Sequence, residues 1–235
     1  MKFQTLLKSG LAATALTLSV SAHALVIDSF TTNQAAVVDT TADGTGLWST
    51  IAAAEALGGY RSIYVNNITD NNALSDPLVG VTNNGFIFDT PSDVNAEARI
   101  RWDGASSVTD TLTPSMGLGD LNLASMGSGF QLNVTFADLD FPFSLEVYSS
   151  EGEKSVFNAV SAGTGSYFIP FALFVGTADF SRVNALQAII NTGGAISAVD
   201  LRITNASVPV PEPASLALLG LGLLGLGAMR RKQAK

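Results

Sequence analysis

The chain has 235 residues, of which 47% are hydrophobic and 14% charged, with a net charge of −8, no cysteine and one histidine. Between residues 25 and 207, 6 basic against 19 acidic side chains leave −13, a field that repels nucleic acid and anionic lipid and excludes a DNA- or RNA-binding role. Because that histidine, His23, lies in an N-terminal leader, the rest has neither imidazole nor thiol. Ser-His-Asp and Cys-His catalysis, His- or Cys-ligated metals and disulfides are excluded with them.

In chain order, residues 1–24 come first. Lys2 and Lys8 precede an apolar run over 11–20, and Ser21-Ala22-His23-Ala24 ends it with small residues. That pattern predicts a secretory signal helix, removed by signal peptidase after Ala24 so that the mature chain begins at Leu25.

Residues 25–206 predict one all-β domain. Phe130-Gln131-Leu132-Asn133-Val134-Thr135-Phe136 alternates apolar and polar, as a half-buried strand does. Similar signals occur at 25–30, 61–68, 85–89, 96–102, 144–148, 155–160, 166–171, 183–190 and 196–203, separated by Gly, Asn, Asp, Pro or Ser. Strands so closely spaced favour a β-sandwich, and the length suits one core. One helix is expected at 47–57, where Trp48, Ile51, Ala52, Glu55 and Ala56 form a face at helical spacing.

Aromatic side chains on an exposed sheet face are the expected means of holding sugar. Trp102 shares the face of Ala96, Ala98 and Ile100, opposite Glu97, Arg99 and Arg101, and is expected in the core. Trp48 and Tyr60, next to glycine-containing turns, are the candidate glycan contacts. Calcium needs only oxygen ligands. Asp138 and Asp140 are its candidate site, although Asp and Asn are also ordinary turn formers. No other cofactor is implied. Catalysis would have to rest on carboxylates, and Glu151 and Glu153 read instead as a solvated hairpin turn.

The end of the chain has three ordered parts. Residues 207–213 form a Pro-rich linker containing Val210-Pro211-Glu212-Pro213, stiff and unable to join a central strand. Residues 214–229 carry no charge and predict a transmembrane helix of about 24 Å at ~1.5 Å per residue, short against a hydrocarbon core of about 30 Å. Arg230, Arg231 and Lys232, within the basic tail 230–235, set that tail on the cytoplasmic side of the inner membrane.

With those residues in view, the C-terminus resembles the PEP-CTERM sorting signal of Gram-negative bacteria. The resemblance implies recognition by an exosortase-type processing enzyme, with an inner-membrane-anchored precursor passing to the envelope, cell surface or extracellular matrix. A second resemblance rests on "LGGYRSIYV" (57–65), "ARIRWDG" (98–104), "YFIPFALFVGTADFSRVNALQAIIN" (167–191) and "AVDLRI" (198–203). These stretches look like jelly-roll domains found ahead of this signal, themselves similar to carbohydrate-binding modules. It implies a non-catalytic sandwich with exopolysaccharide as partner. A structural matrix component without a small ligand, and a carboxylate-dependent glycan-active enzyme, remain as alternatives.

Overall fold

The computed structural model describes residues 24–70, 75–108, 113–150 and 152–210. Ala24–Pro209 form one compact unit with its own core. The expected signal helix and the expected membrane helix at 214–229 lie outside the described residues. Among those described, no helix is long and apolar enough to cross a membrane.

Fourteen strands are present among the described residues: β1 (Leu25–Asp28), β2 (Gln34–Val38), β3 (Leu47–Ala52), β4 (Tyr60–Asp70), β5 (Leu78–Thr82), β6 (Gly85–Asp89) and β7 (Val94–Trp102) in the first half. The second half adds β8 (Gly129–Ala137), β9 (Pro142–Ser150), β10 (Glu153–Val160), β11 (Gly165–Pro170), β12 (Val175–Gly176), β13 (Ala185–Ile190) and β14 (Asp200–Val208). They build two sheets. The first runs β11-β8-β14-β6-β5-β2, with β1 also on β14, and the second runs β12-β10-β9-β13-β7-β4-β3. The all-β sandwich expected from the alternation is the fold observed.

Local chemistry explains several joins. Asn83 and Asn84 both take positive φ, 48° and 59°, and form a two-residue loop between β5 and β6. Asn tolerates that left-handed backbone, whose twist suits a tight hairpin. Ala198, at φ 56°, breaks the run expected as a strand at 196–203. The strand therefore starts at Asp200 and continues to Val208, two residues into the stretch assigned to the linker.

The helix expected at 47–57 is not formed. Leu47–Ala52 is a strand paired residue for residue with β4, from Leu47 opposite Val65 to Ala52 opposite Tyr60. The same six residues also alternate. Gln34 reaches the Ser49 carbonyl and hydroxyl from the inner side at 3.0 and 3.1 Å, whereas Trp48 meets Tyr64 on the outer one. A short segment with both periodicities is settled by its partner, and β4 offers an unpaired edge.

The core lies between the sheets. Phe86, Phe88, Phe130, Leu201 and Ile203 from the first face Ile63, Val65, Ile100, Trp102 and Leu186 from the second, all at most 4% exposed. Within this apolar layer sits a buried ion pair. Arg61 on β4 donates through Nη1 to both Asp28 oxygens at 3.0 and 3.2 Å, through Nε to Gln34 at 3.0 Å and through Nη2 to the Thr32 carbonyl at 2.6 Å. Asp28 also accepts from the Trp102 indole at 2.9 Å and the Phe30 amide at 2.8 Å. Both charged side chains are fully buried, so each depends on its partners. Arg61→Met, which leaves Asp28 buried without its cation, is expected to cost about 3–5 kcal/mol, read as a lower midpoint in urea unfolding. An unchanged midpoint would show that the pair does not hold the sheets.

Candidate functional site

Alternation in the second sheet gives it an outward face built from every other residue. One row across it, fixed by the register, reads Thr50, Ser62, Arg101, Gln187, Glu146. The neighbouring row carries Trp48, Tyr64 and Arg99. Since Trp102 points inward to Asp28, Arg101 must point outward.

Arg101 is only 1% exposed. Its guanidinium carbon lies 4.3 Å from the centroid of Trp48, and it donates through Nε to Gln187 at 3.0 Å and through Nη1 to the Thr113 carbonyl at 3.4 Å. Gln187 passes the chain on to Glu146 Oε2 at 3.0 Å, which also accepts from Tyr148 at 2.6 Å, while Lys154 donates to Oε1 at 2.8 Å. Trp48 and Tyr64 have ring centroids 4.7 Å apart at 37°. Arg99 lies 5.7 Å from the Tyr64 ring and pairs with Glu97 at 2.6 Å. Gly46 closes the group, because a Cβ there would collide with the Tyr64 ring.

The protonation states follow from these contacts. Burial lowers Arg101 to about 10, with Arg99 adding to the effect against Asp103, Tyr148 and Glu146, so it stays a cation at neutral pH. Burial pushes the Glu146 carboxyl up, but Lys154, Tyr148 and Gln187 together bring it below its ordinary value. Tyr148 is raised by burial and by its bond to Glu146. The face thus presents a half-exposed indole with a fixed cation 4.3 Å from its centroid and a second, tilted ring beside it. Such a surface can stack on the apolar side of a pyranose while neighbouring polar groups meet hydroxyls.

Of the aromatic candidates, Trp48 and Tyr60 are both half-buried and occupy this same face. They sit four residues apart along the paired strands, about 13 Å at ~3.3 Å per residue. Trp102 is in the core at 2% exposure, as its pattern indicates. The register brings in Tyr64, Arg101, Gln187 and Glu146 as well, which sequence reasoning missed. Outward alternation marks Arg99 and Arg101, but pairing of β7 with β13 and β9 is a long-range event without a local signal.

The calcium candidates lie elsewhere, in the connection from β8 to β9. Asp138 Oδ1 accepts from the Asp200 amide at 2.8 Å, and Asp140 is exposed. Among the described residues, no three acidic or histidine side chains are placed to hold a metal ion. In the sorting motif, Val210 is half-buried, and Pro211, Glu212, Pro213 and the basic Arg230, Arg231 and Lys232 lie outside the described residues.

Residues 209–232 match the PEP-CTERM protein-sorting motif, so the chain carries this signal. No curated protein matches the chain. Among solved structures it is similar to the family 11 carbohydrate-binding module of a cellulosomal cellulase of Clostridium thermocellum, at 11% identity and TM-score 0.36, over 81% of this chain and 96% of that one. A family 29 carbohydrate-binding module is similar at 12% identity and TM-score 0.34, over 73% and 95% of the two chains. An exo-β-agarase is similar at 10% identity and TM-score 0.38, over 81% of this chain and 26% of that one.

Asp200 adds a pH signature to the β8–β9 end. Burial, then the Asp89 and Asp138 carboxylates, raise it from 3.8 to about 6. The fold therefore holds this proton more tightly than the unfolded chain, a stabilisation complete below about pH 4 and lost as the pH rises through about 6. Asp200→Asn is expected to raise Tm at pH 7, by an amount that vanishes near pH 4. A variant Tm below that of wild type at pH 7 in calcium, with the order reversed in chelator, would instead reveal a bound cation.

Proposed function

We propose that this protein is exported, processed through its PEP-CTERM signal, and binds polysaccharide without catalysis on the outward face of its second sheet. The observation that carries the binding reading is Trp48, half-exposed, with Arg101 4.3 Å from its ring and Tyr64 beside it. A ring immobilised before the ligand arrives costs little further entropy when a sugar stacks on it. Tyr60, about 13 Å further along the same face, offers a contact to a sugar unit further along the same polysaccharide chain.

Glu146, the most deeply networked carboxylate of this face, does not suit the acid role of a glycosidase. Its three partners favour the ionised form, whereas a glycosidase acid must retain its proton at working pH. Processing by an exosortase-type enzyme follows from the motif, with Glu212 at its centre and the precursor held in the inner membrane until cleavage. The released domain belongs to the envelope, cell surface or matrix, where exopolysaccharide is available.

Affinity electrophoresis of residues 24–209 in polysaccharide gels, with and without chelator, tests the binding reading. Retardation is expected, and Trp48→Ala should weaken it about tenfold or more with little change in Tm, Tyr60→Ala less. Free migration in every neutral and acidic polysaccharide would favour a structural component without a ligand. For sorting, Glu212→Ala with 214–235 intact is expected to leave the precursor uncleaved in the inner membrane of a native host. Equal release of mutant and wild type on fractionation would refute recognition of the motif.

A further inference from the structure

We propose that the apolar cleft between β10 and β11 is a binding site for a small hydrophobic amine, which places its alkyl or phenyl group between the sheets and its ammonium at the acidic turn before β9. The cleft follows from how the two inner faces meet. Phe143 on β9 and Phe157 and Ala159 on β10 face the first sheet, because Phe143 pairs with both Ala159 and the core residue Ile190. Leu132, Val134, Leu201 and Ile203 stand opposite them. Sheets packed about 10 Å apart are filled only where large side chains interdigitate, and at Ala159 a methyl stands beside two phenyl rings. A space of about 190 Å³ is left, with Val160, 65% exposed, at its rim.

The interior suits hydrocarbon. Among the described residues its walls carry no charged side chain, and the two polar groups at its edge are bonded within the turn that joins β10 to β11. The Tyr167 hydroxyl donates to the Gly163 carbonyl at 2.6 Å, and Ser161 Oγ accepts from the Gly163 amide at 3.4 Å. Water inside would lack partners, whereas an apolar cavity of about 150 Å³ stays dry and takes benzene. One phenyl ring, or a chain of about six carbons, has the matching size.

The mouth supplies the charge. Val160 pairs with Pro142, and the Ser161 amide donates to the Phe141 carbonyl at 2.9 Å, so the rim adjoins the Asp138-Leu139-Asp140 turn that leads into Phe141, itself a wall of the cleft. Asp138 accepts from the amide of Asp200, which precedes another wall, Leu201, and Asp140 is exposed. Carboxylates therefore gather at this end, and among the described residues none of these three is in an ion pair. In a domain at −13 such a mouth repels an anionic head and draws a cationic one. The hydrocarbon space and the acidic rim together define the ligand, where either alone would not. The site is separate from the polysaccharide platform, which occupies the outward face of the second sheet, whereas the cleft lies against its inner face.

Calorimetric titration of residues 24–209, the compact unit with its own core, against hexylamine, hexanol and hexanoate tests the proposal. Saturable binding is expected, hexylamine tightest and hexanoate weakest, and salt should weaken the amine without affecting the alcohol. Asp138→Asn combined with Asp140→Asn should weaken hexylamine about fivefold and leave hexanol unchanged. Ala159→Phe, which fills the space, should abolish uptake. If that variant does not fold, magnetisation transfer in the wild-type domain decides instead: bound hexylamine must contact Phe143, Phe157 and Ala159. No saturable uptake of hexylamine would overturn the proposal, as would hexanoate bound as tightly as the amine, or bound amine that touches none of the cleft. Trp48→Ala should leave amine uptake unchanged. Amine binding without polysaccharide retention, or the reverse, therefore separates this proposal from the binding reading.

Discussion

The Asp28–Arg61 pair is the constraint on which the rest of the sandwich turns. Asp28 belongs to the first sheet and Arg61 to the second, and both are fully buried, so neither sheet can shift without stranding a charge in an apolar layer. Asp28 also holds the Trp102 indole, which fixes the register of β7. With Trp102 inward, strict alternation sends Arg101 and Arg99 outward. A slip of one residue would put the indole in solvent and two guanidinium groups in the core. The inner ion pair thereby decides which side chains the outer face offers.

On that face the charges are spent largely on one another. Arg101 is tied to Gln187 and Trp48, Glu146 to Lys154, Tyr148 and Gln187, and Glu97 to Arg99 and the Gly193 amide. Such a network contributes rigidity more than free charge. It leaves Trp48 as a positioned apolar surface amid saturated polar groups, suited to a ligand that is itself amphipathic.

Much of this architecture was legible in the residues. Alternation located the long strands β4, β7, β8 and β9, because each has one face committed to the core, whereas β13 reads as a short apolar run and is buried along its whole length. Alternation failed where the partner decides. Leu47–Ala52 satisfies a helical face and an alternating one equally, and only β4 selects the strand. β5 was missed although Asn83-Asn84 is a readable hairpin turn, since Val79-Gly80-Val81 is too short to show a period. At the site, Trp48 and Tyr60 could be singled out as aromatics near turns. Their company of Arg101, Gln187 and Glu146 comes from strands distant in sequence, whose register no local pattern reveals.

The two tryptophans offer a direct internal comparison, one half-exposed on the outer face and one buried on Asp28. In an isotope-labelled domain their indole N–H groups give two resolvable signals. Titration with a retained polysaccharide is expected to shift the Trp48 signal and leave that of Trp102 in place. Saturable binding with both signals unmoved, or with Trp102 alone displaced, would contradict the outward face of the second sheet as the binding surface.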